Sequence, residues 1–166
     1  MRLAFCGISI FVSVAAAAPY SARTYRNEAA RVGVIVPPPG WEIAPQSTYP
    51  RILATWSQRD ARLTLSAERA PSPDAGAFDA QTLVERSRTA LQRQGFYGLE
   101  VTPDPVDTAR RRLHARLDGG RRFLLQLYVV EEGWSYVLTL VAATADEKRL
   151  STEFDETVRS LVLSGQ

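Results

Sequence analysis

Apolar and polar positions alternate through two long runs that meet at Glu132–Gly133, so Arg121 to Ala143 (RRFLLQLYVVEEGWSYVLTLVAA) predicts a β-hairpin. With Glu132 and Gly133 as the central turn pair, Glu131 faces Trp134. Val129 then meets Tyr136, Leu127 meets Leu138, Leu125 meets Leu140 and Phe123 meets Ala142, all on one side of the sheet. The other side sets Leu124, Gln126, Tyr128 and Val130 against Val141, Thr139, Val137 and Ser135. Both sides are largely apolar. Such a pair needs cover on each face, which predicts a layered domain and not a one-sided meander.

The same alternation recurs over Pro50 to Arg69, with a turn at Arg59–Asp60. It pairs Trp56 with Leu63, Ala54 with Leu65 and Ile52 with Ala67. Its second face (Ser57/Arg62, Thr55/Thr64, Leu53/Ser66) is mostly polar, as expected near a sheet edge. A short strand, Arg31 to Val36, stops at Pro37–Gly40, and Trp41 follows as a loop anchor. Leu99 to Thr102 is a short extended piece broken at Pro103–Asp104–Pro105. From Val106 a long strand runs to Asp118–Gly119–Gly120. A three-residue loop there pairs Asp118 with Arg122 and sets Leu117, Ala115 and Leu113 against Phe123, Leu125 and Leu127, on the oily side already assigned.

Two segments carry helical spacing. Asp79 caps Ala80 to Gln94, whose face is Ala80, Leu83, Val84, Ser87, Ala90 and Leu91; Gly95 stands at the C′ position, with Phe96 packing back. The second helix spans Ala145 to Val162, with Thr144 and Glu147 in capping-box spacing and a stripe of Leu150, Phe154, Val158, Leu161 and Val162.

Composition changes this picture mainly at the N-terminus. Residues 1–17 read as a cleaved signal peptide: Arg2, an apolar run from Leu3 to Val14, then Ala15 to Ala18, with cleavage after Ala17. The apolar run falls short of the ~20 residues of a spanning helix, so no transmembrane span is expected after cleavage; retention as an anchor is the alternative. The expected location is the periplasm or outside the cell. Residues 18–30 are polar and aperiodic, a flexible lead-in, and 31–166 form one domain. Cys6, the only cysteine, leaves with the signal, so disulfides and cysteine metal sites are excluded from the mature chain. Lys148 is the only lysine, an arginine preference that we ascribe to base composition. A formal net charge of +2 gives no support to a nucleic-acid partner.

The chemistry-bearing residues are few. His114 is the only histidine, which excludes the usual His/Cys zinc sites; no cofactor motif is present. Gly133-Trp134-Ser135-Tyr136-Val137 lacks the second glycine of a nucleophile elbow and sits on a hairpin, so no catalytic residue is assigned. A triad assembled in space around His114 stays open on counting alone. Arg110, Arg112, His114 and Arg116 alternate along one strand, with Arg121 and Arg122 just past its turn. In the expected register Tyr128 lies opposite Arg112. Together they form a strip that suits an anionic lipid, glycan or acidic protein surface. The alternative is a solvated strip neutralised by the chain's own carboxylates.

Four stretches also resemble the PsbP-like family, the extrinsic photosystem II protein and its bacterial secreted relatives. They are Pro39-Gly40-Trp41 after a short strand, the hairpin around Trp56 to Ala67, the hairpin LQLYVVEEGWSYVLTLVAA, and the closing FDETVRSLVL from Phe154 to Leu163. They are packing and turn signatures, with no catalytic motif among them. The resemblance implies an α+β fold, an antiparallel β-sheet with helices packed on both faces (an α/β/α sandwich). It also implies a non-enzymatic binding or assembly accessory whose partner is an envelope protein or an anionic surface. It carries over no binding residue. A secreted hydrolase using His114 remains the alternative from a different class.

Overall fold

The computed structural model describes residues 23–45, 47–70, 78–105 and 111–164. The expected signal peptide and Arg110 lie outside them. Ten strands and two helices follow in order: β1 (Tyr25–Asn27), β2 (Val32–Ile35), β3 (Glu42–Ile43), β4 (Ile52–Gln58), β5 (Ala61–Arg69), α1 (Ala80–Arg93), β6 (Tyr97–Pro103), β7 (Arg112–Asp118), β8 (Arg122–Glu131), β9 (Trp134–Ala143), α2 (Glu147–Ser160) and β10 (Val162–Leu163). Among the described residues, seven strands make an antiparallel sheet in the order β3-β4-β5-β9-β8-β7-β6, and β1-β2-β10 make a smaller one.

The β8–β9 register is the expected one, from Glu131 opposite Trp134 to Phe123 opposite Ala142. Glu132 and Gly133 both have positive φ (46° and 76°), the requirement of a type I′ turn, whose twist matches that of the strands it joins. Alternate residues of β8 then serve two cores. Phe123, Leu127 and Val129 pack with Leu63 and Leu65 of β5, Leu138 and Leu140 of β9, and Leu150, Phe154 and Val158 of α2. Leu124 and Tyr128 pack on the opposite side with Ala80, Leu83, Val84 and Leu91 of α1. Full burial of each Leu or Phe contributes about 1.5–3 kcal/mol, so both layers are substantial.

The third strand departs from expectation. Leu117 pairs with Leu124 and Leu113 with Tyr128, one residue away from the predicted register. The turn holds two residues, Gly120 and Arg121, closed by the Gly119 N–H to the Arg122 carbonyl at 2.8 Å, and Gly120 takes the positive φ (76°) that a side chain would resist. Because side chains alternate, a one-residue slip sends Leu113, Ala115 and Leu117 to the α1 side and turns their polar neighbours toward α2. The expected single oily side shared by three strands is therefore corrected: Leu127 and Leu138 share it, and Leu113 does not.

Smaller corrections have local causes. The β4–β5 pairing matches at Trp56/Leu63 and Ala54/Leu65, but a bulge sets Ile52 against Ser66, while the Ala67 N–H bonds to the Arg51 carbonyl. Tyr25–Asn27, inside the expected loose lead-in, pairs with β2. Ala90, assigned to the apolar face of α1, is exposed. The capping box at Thr144 and Glu147 does not form: Thr144 donates from Oγ1 to the Gly120 carbonyl, and Glu147 accepts from Arg116. Helix α2 also stops at Ser160, whose Oγ bonds the backbone of Val36, and Val162–Leu163 leaves the helical pattern to pair with β2.

The N-terminus of α1 is capped as its sequence predicts. Asp79 Oδ1 accepts from the Thr82 N–H and from Thr82 Oγ1, each at 2.8 Å, and these bonds lower the Asp79 pKa below its usual value. Asp79→Ala should cost about 1 kcal/mol in a urea titration. Because the folded pKa is lowered, the carboxylate's contribution is complete above the ordinary Asp range and fades as pH falls through the folded value; the variant should lack that acid-side loss.

Candidate functional site

The β7 slip that sends Leu113 inward toward α1 turns Arg112, His114 and Arg116 toward α2. There they form one wall of a groove of about 850 Å3. Edge strand β6 adds Glu100 and Thr102, Asp104 follows it, and α2 forms the opposite wall with Ser151, Asp155 and Arg159. Leu125, Phe154 and Val158 give the groove an apolar lining.

Most of its charges are held internally. Arg116 donates from Nε to Glu147 Oε1 at 2.7 Å, which raises the guanidinium pKa further and keeps it cationic. Arg111, also lining the groove, donates from Nη1 to Glu131 Oε1 at 3.0 Å. His114 Nε2 lies 3.3 Å from Asp104 Oδ2, and the Asp104 carboxylate is buried. Ser151 lines the same groove, yet no hydrogen bond joins it to His114, so the chain of contacts that a Ser-His-Asp nucleophile requires is not assembled. Among the described residues, no three His, Cys, Asp or Glu side chains gather as they would around a metal. No described helix is long and apolar enough to cross a membrane.

Neither a family model nor a curated protein sequence matches this chain. Solved structures do. The solution structure of cyanobacterial PsbP (CyanoP) from Synechocystis sp. PCC 6803 matches with a TM-score of 0.59 at 16% identity, covering 95% of this chain and 98% of that one. The fold is PsbP-like. At that identity the likeness speaks for architecture alone, and the α+β class implied by the four quoted stretches is the observed one.

Within the PsbP-like fold, the expected arginine strip divides. Arg112, His114 and Arg116 share the groove. Arg121 sits exposed at the β7–β8 turn, and the guanidinium of Arg122 lies 5.2 Å from the centre of the Phe96 ring, which belongs to the core on the α1 side. Tyr128 is corrected outright. It pairs in register with Leu113 and not Arg112, is fully buried on the α1 side, and donates its hydroxyl hydrogen to Gln126 Oε1. The cation–π contact with Arg112 would need Tyr128 on the other side of the sheet.

Sequence reasoning missed Glu100, Thr102, Asp104, Ser151, Asp155 and Arg159. Asp104 lay between two prolines and read only as a breaker. The α2 residues read as the polar margin of an amphipathic helix. No local signal marks which strand a helix margin will face.

Proposed function

We propose that this protein is an exported, non-catalytic accessory domain that binds a partner protein of the cell envelope through the groove between β7 and α2. The groove's chemistry carries the reading: an apolar lining flanked by both arginines and carboxylates, with Arg111 and Arg116 already paired to the chain's own glutamates. An anionic lipid or glycan surface selects for net positive potential, which such pairing removes. A protein surface presents apolar and charged groups side by side, as this groove does. The PsbP-like architecture agrees with a binding role.

The test is affinity capture from the envelope fraction with the wild type and with Ser151→Trp, which fills the groove from a half-buried helix position. The wild type should retain a partner that the variant loses; equal capture by both removes the groove from the interface. Arg112→Ala combined with Arg116→Ala separates the anionic-surface reading. That reading needs salt-sensitive binding to phosphatidylglycerol vesicles that the double variant weakens, whereas we expect little binding by either protein. Intact mass of the exported protein should correspond to a chain beginning at Ala18; a mass beginning at Met1 would overturn the export reading.

A further inference from the structure

Resting on the partner-protein reading, we propose that the partner enters as an extended segment, which adds to β6 as a further antiparallel strand and sends alternate side chains into clefts on the two faces of the sheet. Among the described residues β6 is the last strand of the large sheet, and most of its residues are exposed. Glu100 and Thr102 stand opposite Arg116 and His114, so their side chains line the groove beside α2. Val101 and Pro103 stand opposite Ala115 and Leu113, on the α1 side. There a second cleft, of about 370 Å3, has a floor of Phe96, Leu99, Val101 and Leu117 and a wall of Arg88 and Gln92 from α1. An edge strand set between two clefts leaves room on both faces for the side chains of a neighbour. At the other end of the sheet, β3 is only two residues long and too short to hold a ladder.

The backbone of β6 sets where such a segment pairs. The Asp104 N–H bonds inward to the Arg112 carbonyl at 3.2 Å, so Thr102 and Glu100 also face β7 in the antiparallel ladder. Val101 then turns its N–H and carbonyl outward, and Pro103 its carbonyl. One residue of an antiparallel neighbour can exchange both bonds with Val101, and the residue two positions before it donates to Pro103. The register break between Tyr97 and Glu100, with Gly98 at φ 62°, ends the ladder on one side, and the missing Pro103 N–H ends it on the other. So short a ladder is weak, and selection falls to the side chains. Residues opposed in an antiparallel pair share a face, so the neighbours of Val101 and Pro103 enter the α1-side cleft. Its floor is apolar, and Arg88 in its wall pairs with Glu85 of the same helix at 3.6 Å. The residue between those neighbours enters the groove, over Leu125, Phe154 and Val158. The segment is therefore apolar at successive positions, with no charge of either sign required.

The probe is a fluorescein-labelled peptide, Lys-Thr-Val-Phe-Val-Thr-Glu, read by fluorescence anisotropy against the intact exported protein. In the expected pairing its valine N–H groups face β6 and its phenylalanine N–H faces away. Binding should be saturable, about tenfold weaker when both valines are N-methylated, and unchanged when the phenylalanine is. Val101→Pro should also weaken binding about tenfold, because proline removes the outward donor and leaves the inward bonds of β6 in place, as Pro103 already does. Far-ultraviolet dichroism of this variant should match the wild type; if it does not, the methylated peptides decide. No saturable binding, equal tolerance of the two methylated peptides, or undiminished binding by folded Val101→Pro overturns the inference. Light scattering should give a monomer, and a dimer that Val101→Pro dissociates would assign the edge to a second copy and overturn it as well. If Val101→Pro captures the envelope partner as the wild type does while Ser151→Trp loses it, strand addition falls and the partner-protein reading of the groove stands. If both variants capture it undiminished, both fall.

Discussion

Trp56→Ala should lower the folding free energy by about 3–5 kcal/mol, the range for deleting a large buried aromatic side chain. Trp56 is fully buried on β4, within the core beneath α2. Its ring meets Tyr25 edge-on, with centroids 6.1 Å apart and planes at 89°, and its Nε1 donates to the Arg23 carbonyl at 2.9 Å. One side chain thus fills the core and ties down β1. Urea unfolding followed by circular dichroism measures the first effect, and trypsin cleavage at Arg23 and Arg26 under native conditions measures the second. Both should move together. Trp56→Phe keeps an aromatic ring but removes the indole donor, at a further cost of about 1 kcal/mol beyond the lost packing area. An alanine variant that melts like the wild type would contradict this account of the α2-side core.

The second large effect should be alkaline loss of stability through Tyr128. Burial pushes the phenol's pKa up to about 12, against an ordinary value of 10.0. Above pH 10 the unfolded chain loses this proton while the folded chain keeps it, so the unfolded state binds fewer protons and stability falls with rising pH. The contribution is complete below pH 10 and disappears toward pH 12, with a full span of roughly 2–3 kcal/mol. Tyr128→Phe should flatten this slope relative to the wild type. At neutral pH the variant should itself cost about 1–3 kcal/mol, because Gln126 Oε1 loses its donor inside the protein. Gln126 is held from its other end, Nε2 donating to Thr139 Oγ1 at 2.9 Å, and cannot swing out to water without breaking that bond. Burial also raises the Tyr136 pKa, so the measurement is the difference between the two proteins at each pH. Parallel pH profiles would show that Tyr128 is not the titrating group.

Docking of α2 shows how a short local signature gains meaning in three dimensions. Trp41, read from the sequence as a loop anchor, is buried and donates from Nε1 to Glu153 Oε2 at 2.7 Å; Arg149 holds the other oxygen of that carboxylate at 2.6 Å. Arg149 also reaches Gln58 Oε1 at 2.7 Å, which joins the helix to the end of β4. Pro-Gly-Trp is thus a fastening between an early loop and a late helix.

Local chemistry was enough for some elements. Glu132–Gly133 admits one tight turn, and that turn sets the whole β8–β9 register; Asp79 with Thr82 starts α1; the alternation around Arg59–Asp60 gives the central pairs of β4 and β5. Each is settled by residues within a few positions of one another. The face of β7 is different. Both sides of β8 are apolar, so Leu113, Ala115 and Leu117 find an oily surface in either register, and periodicity cannot choose between them. The choice falls to the Gly120–Arg121 turn and to α1, which supplies the cover those residues need. From it follow the position of Arg112, His114 and Arg116 beside α2, the burial of Tyr128 on the opposite side, and the existence of the groove. The end of α2 has the same origin: Val162 continues the helical stripe, and only the nearness of β2 draws it, with Leu163, into a sheet. The amino-acid pattern by itself determined the long strands, both helices and the turns at Arg59–Asp60 and Glu132–Gly133, because turns, caps and alternation act over short distances. Tertiary structure alone decided which side of a doubly apolar sheet each residue serves, because that depends on which helix arrives to cover it.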